Sequence, residues 1–501
     1  MTRIQNHTLF SFKDPEDFRR LKDVFESAGY TGANIPRSIG GKELSAIQGY
    51  NITPLLLHRT DRGTPLDTFI RLFLIKVPCD IEVVKRAIRP MKLETWIKVG
   101  LVRIKKTSVT AAVELLPYKD LLLAFDLPDV LNTPLKQNYV MGVGSSTLTL
   151  ANLTIRRDSH RTFDLGCGNG IHGLLASPHS KRVVGVDLNP RAVAFATFNS
   201  KLNHISNMDC VQGDLFQPVT NQTFDLVVTN PPFVISPETR YIYRDSGMQA
   251  DQITRKIVQQ VPDFLNEGGF CQILCNWVVK TGQNWRERLK KWFENTGCDV
   301  WVMRSETDDA AAYATKWIRH TEFNDQETDF SKRFQQWMAY YEDLGVESFA
   351  AGLITMRKSG NRTNWFRADD SPEQMEGPCG DYVENGFELR DFLETVKNDG
   401  TLLNTVLRHS PDIRLEQRFK PSERGWKATE SYIYLSKGLA YKGNSDPYIA
   451  NLMINCDGQK PLKDLIKHMA ISLGVSTDKI APTACQLIRK LIEQGFLLLK
   501  K

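Results

Sequence analysis

The spacing of apolar residues changes character along this chain, and the change divides it. In the first ~130 residues the spacing is mostly helical. Between Asp14 and Ala28, Phe18, Leu21, Val24 and Phe25 fall on one helical face, with Asp14 as N-cap and Pro15 at the first helical position. Leu66 to Ile75 predicts a second helix, with Phe69, Ile70, Phe73 and Leu74 on one side. Leu93 predicts a third helix ending at Gly100, then a strand, with Thr110 to Leu116 as its partner strand. Helices followed by a two-stranded wing are the layout of a winged helix, or of a helical cap carrying a hairpin.

From Tyr139 the pattern becomes one of alternating short strands and helices. A small-residue loop, 139–151, leads into a short helix. Strands are predicted at Thr162–Leu165, Arg182–Asp187, Cys210–Gln212, Phe224–Thr229 and Gly269–Asn276. Helices are predicted at Ile171–Ala176, Pro190–Asn203 and Gln252–Leu265. Asp299–Met303 and Phe349–Met356 can add two strands, with a helix around Trp337, Tyr340 and Leu344 just before the second. Such alternation predicts a mostly parallel sheet with helices on both faces. Gly360 to Asp370 is a polar break. After ~435, helices at Asp446–Asn455, Leu462–Leu473 and Thr477–Gln494, a turn at Asp457–Pro461 and a strand at Phe496–Leu499 form another winged-helix-like unit. The expected domains are 1–134, helical or winged-helix-like; 135–360, α/β; 361–435, a connecting region; and 436–501, winged-helix-like.

Composition narrows the class. A chain of 501 residues calls for two to four domains, and 41% hydrophobic with 24% charged residues is ordinary for a globular protein. No apolar run reaches the ~18 residues of a membrane span, so no membrane partner is expected. Met1 to His7 lacks the apolar core of a leader, and the nine cysteines are scattered with no Cys-x-x-Cys pair. Both fit a reducing cytoplasm, and no metal site is expected. A net charge of +6 permits nucleic-acid contact without arguing for it.

The candidate chemistry lies in two motifs. Phe163-Asp-Leu-Gly-Cys-Gly-Asn-Gly170 follows the first predicted strand of the alternating region, and Asn230-Pro-Pro-Phe233 follows the fourth. Gly166, Gly168 and Gly170 let the backbone turn tightly and approach a cofactor, with Cys167 as a small filler between them. Asp164 ends the first strand, where its carboxylate can meet the amino-acid end of a nucleotide-like cofactor. Asp187 closes the second strand about twenty residues on, where an acid meets ribose hydroxyls. Asp214, followed by Leu215, closes the third, where a carboxylate can accept from an adenine amino group. As plain structure, these would be turn glycines and helix-capping aspartates. The Asn230 side-chain oxygen and the Pro231 carbonyl are suited to accept the two hydrogens of a planar NH2 group. The prolines stiffen the loop, and Phe233 offers a flat face. In isolation the tetrapeptide is only a rigid turn; its place after the fourth strand raises the catalytic reading. Tyr243, Arg244 and Asp245 follow soon after and are candidates for the acceptor pocket.

These residues resemble the small-domain class I methyltransferases, whose signature is Asp-Leu-Gly-x-Gly-x-Gly with Asn-Pro-Pro-[Tyr/Phe]. That group includes protein-glutamine N5-methyltransferases, ribosomal RNA guanine-N2-methyltransferases and adenine N6-methyltransferases. The chain is more similar still to a bacterial group of about 500 residues, through the segments IRLFLIKVP, YVMGVGSSTLTLA and NPPFVISPETRYIYRDSG. The resemblance spans about residues 1–360. It implies a Rossmann-like sheet, S-adenosylmethionine as cofactor, and N-methylation of a macromolecule. A protein or peptide amide is the leading acceptor and a nucleobase of rRNA, tRNA or DNA the alternative. A non-catalytic cofactor-binding regulator is the reading from another class. Oligomeric state is left open.

Overall fold

The computed structural model describes residues 10–12, 14–41, 53–322, 330–360, 362–422 and 425–500. Met1–His7, read above for a leader, lies outside them. The chain forms two compact units: one from residues up to 150 together with 158–369, the other from 151–157 together with 370–501.

The first unit is built on an eight-stranded sheet. Its strands are β1 (Ser159–Leu165), β2 (Ser180–Asp187), β3 (Met208–Gln212), β4 (Phe224–Thr229), β5 (Leu265–Lys280), β6 (Cys298–Asp309), β7 (Val346–Lys358) and β8 (Phe366–Asp370). The order across the sheet is β8-β6-β7-β5-β4-β1-β2-β3. β1 to β5 run parallel, and β7 inserts antiparallel between β5 and β6. This is a Rossmann-like sheet with its parallel strands contiguous, as the alternating pattern predicts. The chain reverses direction across the sheet at β1, which has β2 on one side and β4 on the other. That makes the carboxyl ends of β1 and β4 the expected ligand crevice. Register sharpens the point: Leu165 pairs with Thr229, so the glycine turn and the tetrapeptide leave adjacent strands at the same level.

Three helices matter most for the crevice: α1 (Ser145–Leu153), α2 (Ile171–Ala176) and α3 (Pro190–Leu202). α3 starts where Asn189 caps it, its side chain accepting from Arg191 N–H, and Pro190 takes the first turn. Between β6 and β7 the chain inserts α4 (Ala310–Glu322) and α5 (Phe330–Asp343). The polar break at 360–370 holds β8, which pairs at the sheet edge with Phe366 and Ala368 packed on the core and Arg367 buried over the Trp301 ring.

The N-terminal segment contains the helix Glu16–Ser27, with Phe18, Leu21, Val24 and Phe25 buried as their spacing predicts. The predicted 66–75 helix is present, but its second half, Ile70–Ile75, is wound as a π-helix. The predicted strand Thr110–Leu116 is divided. Ser108–Ala111 pairs with Val102–Lys105 and Cys79–Asp80, whereas Glu114–Tyr118 forms a separate hairpin with Leu121–Phe125. Phe10, Phe12 and Phe18 cluster with Phe195 and Phe198 of α3, so this segment shares a core with the sheet domain.

A second tie is polar. Asn199 on α3 and Asn203, its C-cap one turn on, turn their amides onto the edge of Leu121–Phe125. Asn203 accepts from Leu122 N–H (2.9 Å) and donates to Leu122 C=O (2.8 Å); Asn199 does the same at Ala124 (2.8 and 2.9 Å). The two amides thus stand in for a neighbouring strand and satisfy an otherwise buried edge. Asn199 also donates to the carbonyl of Asn169, inside the glycine turn (2.8 Å).

In the second unit, the described residues from 370 to 435, part of the stretch 361–435 read as a connecting region, carry regular structure. A helix spans Gly380–Thr395, a strand Val406–His409, and a long hairpin Ile413–Ser422 with Gly425–Leu435. Val406–His409 lies between Asp457–Pro461, predicted as a turn, and Leu497–Leu499. Arg390 of the first helix pairs with Glu493 (2.6 Å) of the last, Thr477–Glu493. Gly380 abuts Thr154, where a Cβ would stand 2.1 Å from the Thr154 carbonyl oxygen.

Replacing Asn199 by Ala removes three buried hydrogen bonds and leaves Ala124 N–H unpaired. The expected loss is about 2–3 kcal/mol, since each orphaned buried polar group costs on that order. Urea unfolding should show a lower midpoint at unchanged slope; an unchanged midpoint would mean the amide contributes nothing to the junction.

Candidate active site

A cleft of about 590 Å³ opens at the carboxyl ends of β1, β2 and β4. Its floor is the glycine turn. Gly166, Gly168 and Gly170 all adopt left-handed backbone (φ 71°, 56° and 86°), which L-residues avoid. A Cβ on Gly166 or Gly168 would meet nothing within 4 Å, so the space above the turn is open. A Cβ on Gly170 would stand 3.0 Å from Ala196 Cβ of α3, so this glycine serves packing and is not part of the cleft wall.

Two carboxylates hold the turn. Asp187 accepts Gly168 N–H on one oxygen and Asn189 N–H on the other, both at 2.8 Å. Asp164 accepts Gly173 N–H at 2.8 Å and is buried beneath the turn, outside the cleft lining. Its other oxygen has no partner. Burial pushes the Asp164 carboxyl up to about 7; the Gly173 hydrogen bond opposes the rise and the neighbouring Asp187 adds to it.

Gly166, Cys167, Gly168, Asp187, Asp214 and Leu215 all line one side of the cleft. Asp214 is exposed there, and Leu215 has positive φ (47°). Burial raises the Cys167 thiol well above its ordinary range, which suits a filler and not a nucleophile. Asn230, Pro231, Pro232 and Phe233 also line the cleft, from the end of the neighbouring strand. Asn230 Nδ2 donates to Ser146 Oγ of α1 at 3.4 Å, and its buried Oδ1 has no partner. Phe233 meets the edge of Trp317 on α4, ring centroids 6.0 Å apart.

Tyr243, Arg244 and Asp245 also reach the lining, but their charges are spent within the loop. Arg244 is buried: Nε donates to Asp245 Oδ1 (2.7 Å), Nη2 to Oδ2 (3.0 Å), and the guanidinium lies over Tyr241. Asp245 accepts further from Ser236 Oγ and from the backbone N–H groups of Arg240 and Tyr241. This pair therefore ties down the loop behind the tetrapeptide.

Several lining residues have no motif in the sequence. Ser146, inside the small-residue loop, could have been suspected from that loop's composition. Asn169 donates to Met141 C=O (3.1 Å) and so ties the same loop to the glycine turn. Tyr313 comes from α4, which is not among the helices predicted from the sequence; Tyr341, outside the lining, comes from α5, the helix predicted around Trp337 and Tyr340. Tyr313 Oη accepts from Ile235 N–H (3.1 Å) and Asn276 Nδ2 (2.9 Å), while Tyr341 Oη donates to Ile235 C=O (2.8 Å). Two hydroxyls from the insertion thus grip both polar groups of one residue just past the tetrapeptide.

The Asp164 shift has a testable sign. Its carboxyl titrates near 3.8 in a model peptide and at about 7 in the fold, so the folded state holds the proton longer. Stability is therefore lost as pH rises from about 4 to about 7. Asp164→Asn keeps an acceptor for Gly173 and removes the charge. Its melting temperature relative to the parent should rise across that window and level off above it; a constant difference would show that Asp164 does not titrate there.

Comparison with known proteins agrees with this architecture. The Methyltransferase small domain family matches residues 142–300. Two further matches, 27–112 and 384–499, are to domains of unknown function. A Methanocaldococcus jannaschii protein provisionally named as a protein N5-glutamine methyltransferase is 34% identical over 136 residues, 26% of this chain and 68% of that protein. A release factor glutamine methyltransferase of Geobacter sulfurreducens is 33% identical over 165 residues, covering 30% of this chain and 55% of that protein. A ribosomal RNA small subunit methyltransferase C of Alcanivorax borkumensis is 31% identical over 116 residues, covering 23% and 32%. The chain thus spans about half of the second relative and a third of the third. With the sheet order, the glycine turn and the tetrapeptide in one cleft, these matches establish that the chain belongs to the small-domain methyltransferases.

Proposed function

We propose that the protein is an S-adenosylmethionine-dependent N-methyltransferase acting on a planar NH2 group, foremost a glutamine-like amide of a protein or peptide. The observation that carries this reading is that Asn230-Pro-Pro-Phe233 and the glycine turn line one cleft at the ends of paired strands, with Asn230 Oδ1 unpartnered among the described residues. A buried acceptor without a donor is costly and rare. A donor NH on a bound acceptor would satisfy it.

The residues present fit the cofactor. Gly166 and Gly168 leave room for it above their backbone, with Cys167 filling beneath. Each Asp187 oxygen accepts one amide and retains a lone pair for a ribose hydroxyl. Asp214 and Leu215 would flank the adenine, with the Asp214 carboxylate accepting from its amino group. Asp164 and Gly170 act one layer below, by shaping the turn. When bound, S-adenosylmethionine supplies an activated methyl group. Asn230 Oδ1 and the Pro231 carbonyl would accept the two hydrogens of the acceptor NH2, aim its lone pair and stabilise the positive charge that develops on nitrogen. Phe233, backed by Trp317, would cover the planar group. Tyr243, Arg244 and Asp245 hold the loop that presents it.

The glutamine reading is supported by relatives named for release factors, and by one of Xanthomonas campestris named a ribosomal protein uL3 glutamine methyltransferase. A nucleobase acceptor in rRNA, tRNA or DNA remains the second reading, supported by the relative named for ribosomal RNA. The same two acceptors would serve either group. A regulator that binds cofactor without turnover is disfavoured by the intact tetrapeptide. Among the described residues no helix is long and apolar enough to cross a membrane; we place the enzyme in the cytoplasm. The winged-helix-like regions on either side of the sheet domain would dock the macromolecular substrate.

Incubating a cell extract with methyl-labelled cofactor and the enzyme, then separating protein from RNA, identifies the acceptor. On that acceptor, Asn230→Ala should lower turnover roughly a hundred- to a thousand-fold, about 3–4 kcal/mol, with cofactor affinity unchanged. Asn230→Asp places a charge beside the reacting centre and should also lose most of the rate. Full turnover in both variants would reduce the tetrapeptide to a turn.

A further inference from the structure

A second concavity lies further along β5, outside the cleft. It is lined by Arg255, Lys280, Asn284, Glu287, Lys291 and Trp292, with Arg288 and Gln283 completing the wall. Its volume, about 580 Å³, matches that of the cleft. The charges inside it are unequal. Arg288 is neutralised, donating to both oxygens of Asp251 (2.8 and 2.7 Å). Arg255, Lys280 and Lys291 make no ion pair or side-chain hydrogen bond among the described residues. Glu287 is the one carboxylate in the lining. Three unpaired cations against one anion leave an excess of two positive charges in one recess, above the buried ring of Trp292. Like charges gathered without partners repel and raise the local affinity for anions.

Position gives the recess meaning. Asn276 of β5 lines the cleft, and Lys280 lies four residues on along the same strand, roughly 13 Å at ~3.3 Å per residue. That is about the span of two nucleotides of an extended strand.

We propose that this recess is a binding site for phosphate oxyanions, and that it holds the backbone of a polynucleotide strand running past the cleft. Lys280, Lys291 and Arg255 take the phosphates, and Asn284 and Gln283 supply neutral hydrogen-bonding groups at the edge. The site does not depend on which NH2 group the cleft methylates: the acceptor is a base on that strand, or a polypeptide held beside it in a ribonucleoprotein.

The full chain is titrated against a fluorescent single-stranded oligoribonucleotide at 50 and 200 mM salt. Two to three neutralised phosphates on a single strand predict weakening by roughly seven- to twenty-fold between those salts, from a slope of about −0.7 per phosphate. Arg255→Glu combined with Lys291→Glu should weaken RNA binding at least tenfold, and Arg255→Gln with Lys291→Gln by less. Affinity for S-adenosylhomocysteine, measured by calorimetry, should stay unchanged in both and report an intact cleft. Unchanged RNA affinity in the charge-reversed variant would overturn the site. Binding of inorganic pyrophosphate at the recess without any RNA binding would overturn the polynucleotide and assign the recess to a small phosphate compound. The outcome is separable from the cleft reading, because it is measured by binding and not by methyl transfer.

Discussion

The structure depends on how the backbone of one turn is held. Three left-handed glycines, alternating with Cys167 and Asn169, leave a turn with few side chains to pack and no regular hydrogen-bond ladder. Such a segment has more conformational freedom to lose than any other. Its shape is restored from outside. Asp187 takes Gly168 N–H, Asp164 takes Gly173 N–H, and the carbonyl of Val186 accepts from both Gly166 and Cys167. The amide of Asn199 caps the Asn169 carbonyl from α3. Because Asn199 also completes the edge of Leu121–Phe125, the N-terminal segment and the glycine turn are braced by one side chain. Among the described residues, the first ~130 do not line the cleft and meet its floor through α3.

Much of this was legible in the sequence because its causes are local. The parallel strands are short apolar runs ended by glycine or aspartate, and Ile171–Ala176, Phe224–Thr229 and Leu462–Leu473 emerge with the predicted ends. The cleft follows from strand order, since Gly166 and Asn230 each follow a strand and those strands pair. What was not legible depends on partners distant in sequence. Thr110–Leu116 reads as one strand, yet Val113 turns the chain so that each half finds a different partner. Asp457–Pro461 carries turn residues but pairs with Val406–His409. The hairpin Ile413–Leu435 alternates polar and apolar residues on a largely exposed arm, with Trp426 72% exposed, so no buried face marks it. Asp164 reads as a cofactor contact from its position near the strand end; only the three-dimensional path of α2, which brings Gly173 N–H to it, shows that it is buried beneath the turn.

The acceptor side of the cleft is organised by a different device. The insertion between β6 and β7 contributes aromatic packing, with Tyr313 stacked on Phe349 (4.0 Å) and Tyr341 and Trp337 close by. It also supplies the two hydroxyls on Ile235. On the far side of the loop, Asp245 gathers four donors: two backbone N–H groups, the Ser236 hydroxyl and the Arg244 guanidinium. Gripped at Ile235 and at Asp245, the chain from 230 to 245 is ordered without forming a helix or strand. Ordering it in advance lowers the entropy that acceptor binding would otherwise cost.

That ordering explains why the cleft can tolerate unmet polar groups. Thr229 Oγ1 and Asn230 Oδ1, adjacent in the chain, are both buried without partners at the point where β4 ends. Each such group costs on the order of 1–3 kcal/mol. A loose loop would relax to satisfy them by moving toward water or a neighbouring amide. Here Pro231 and Pro232 restrict φ, Ser146 engages the Asn230 amide nitrogen, and the clamps hold the following residues. The Asn230 oxygen is therefore held without a partner beside the cleft. Under the proposed function, an N–H of a bound planar NH2 group would supply the missing donor, and the rigidity that leaves this oxygen unpaired would also be what favours that group.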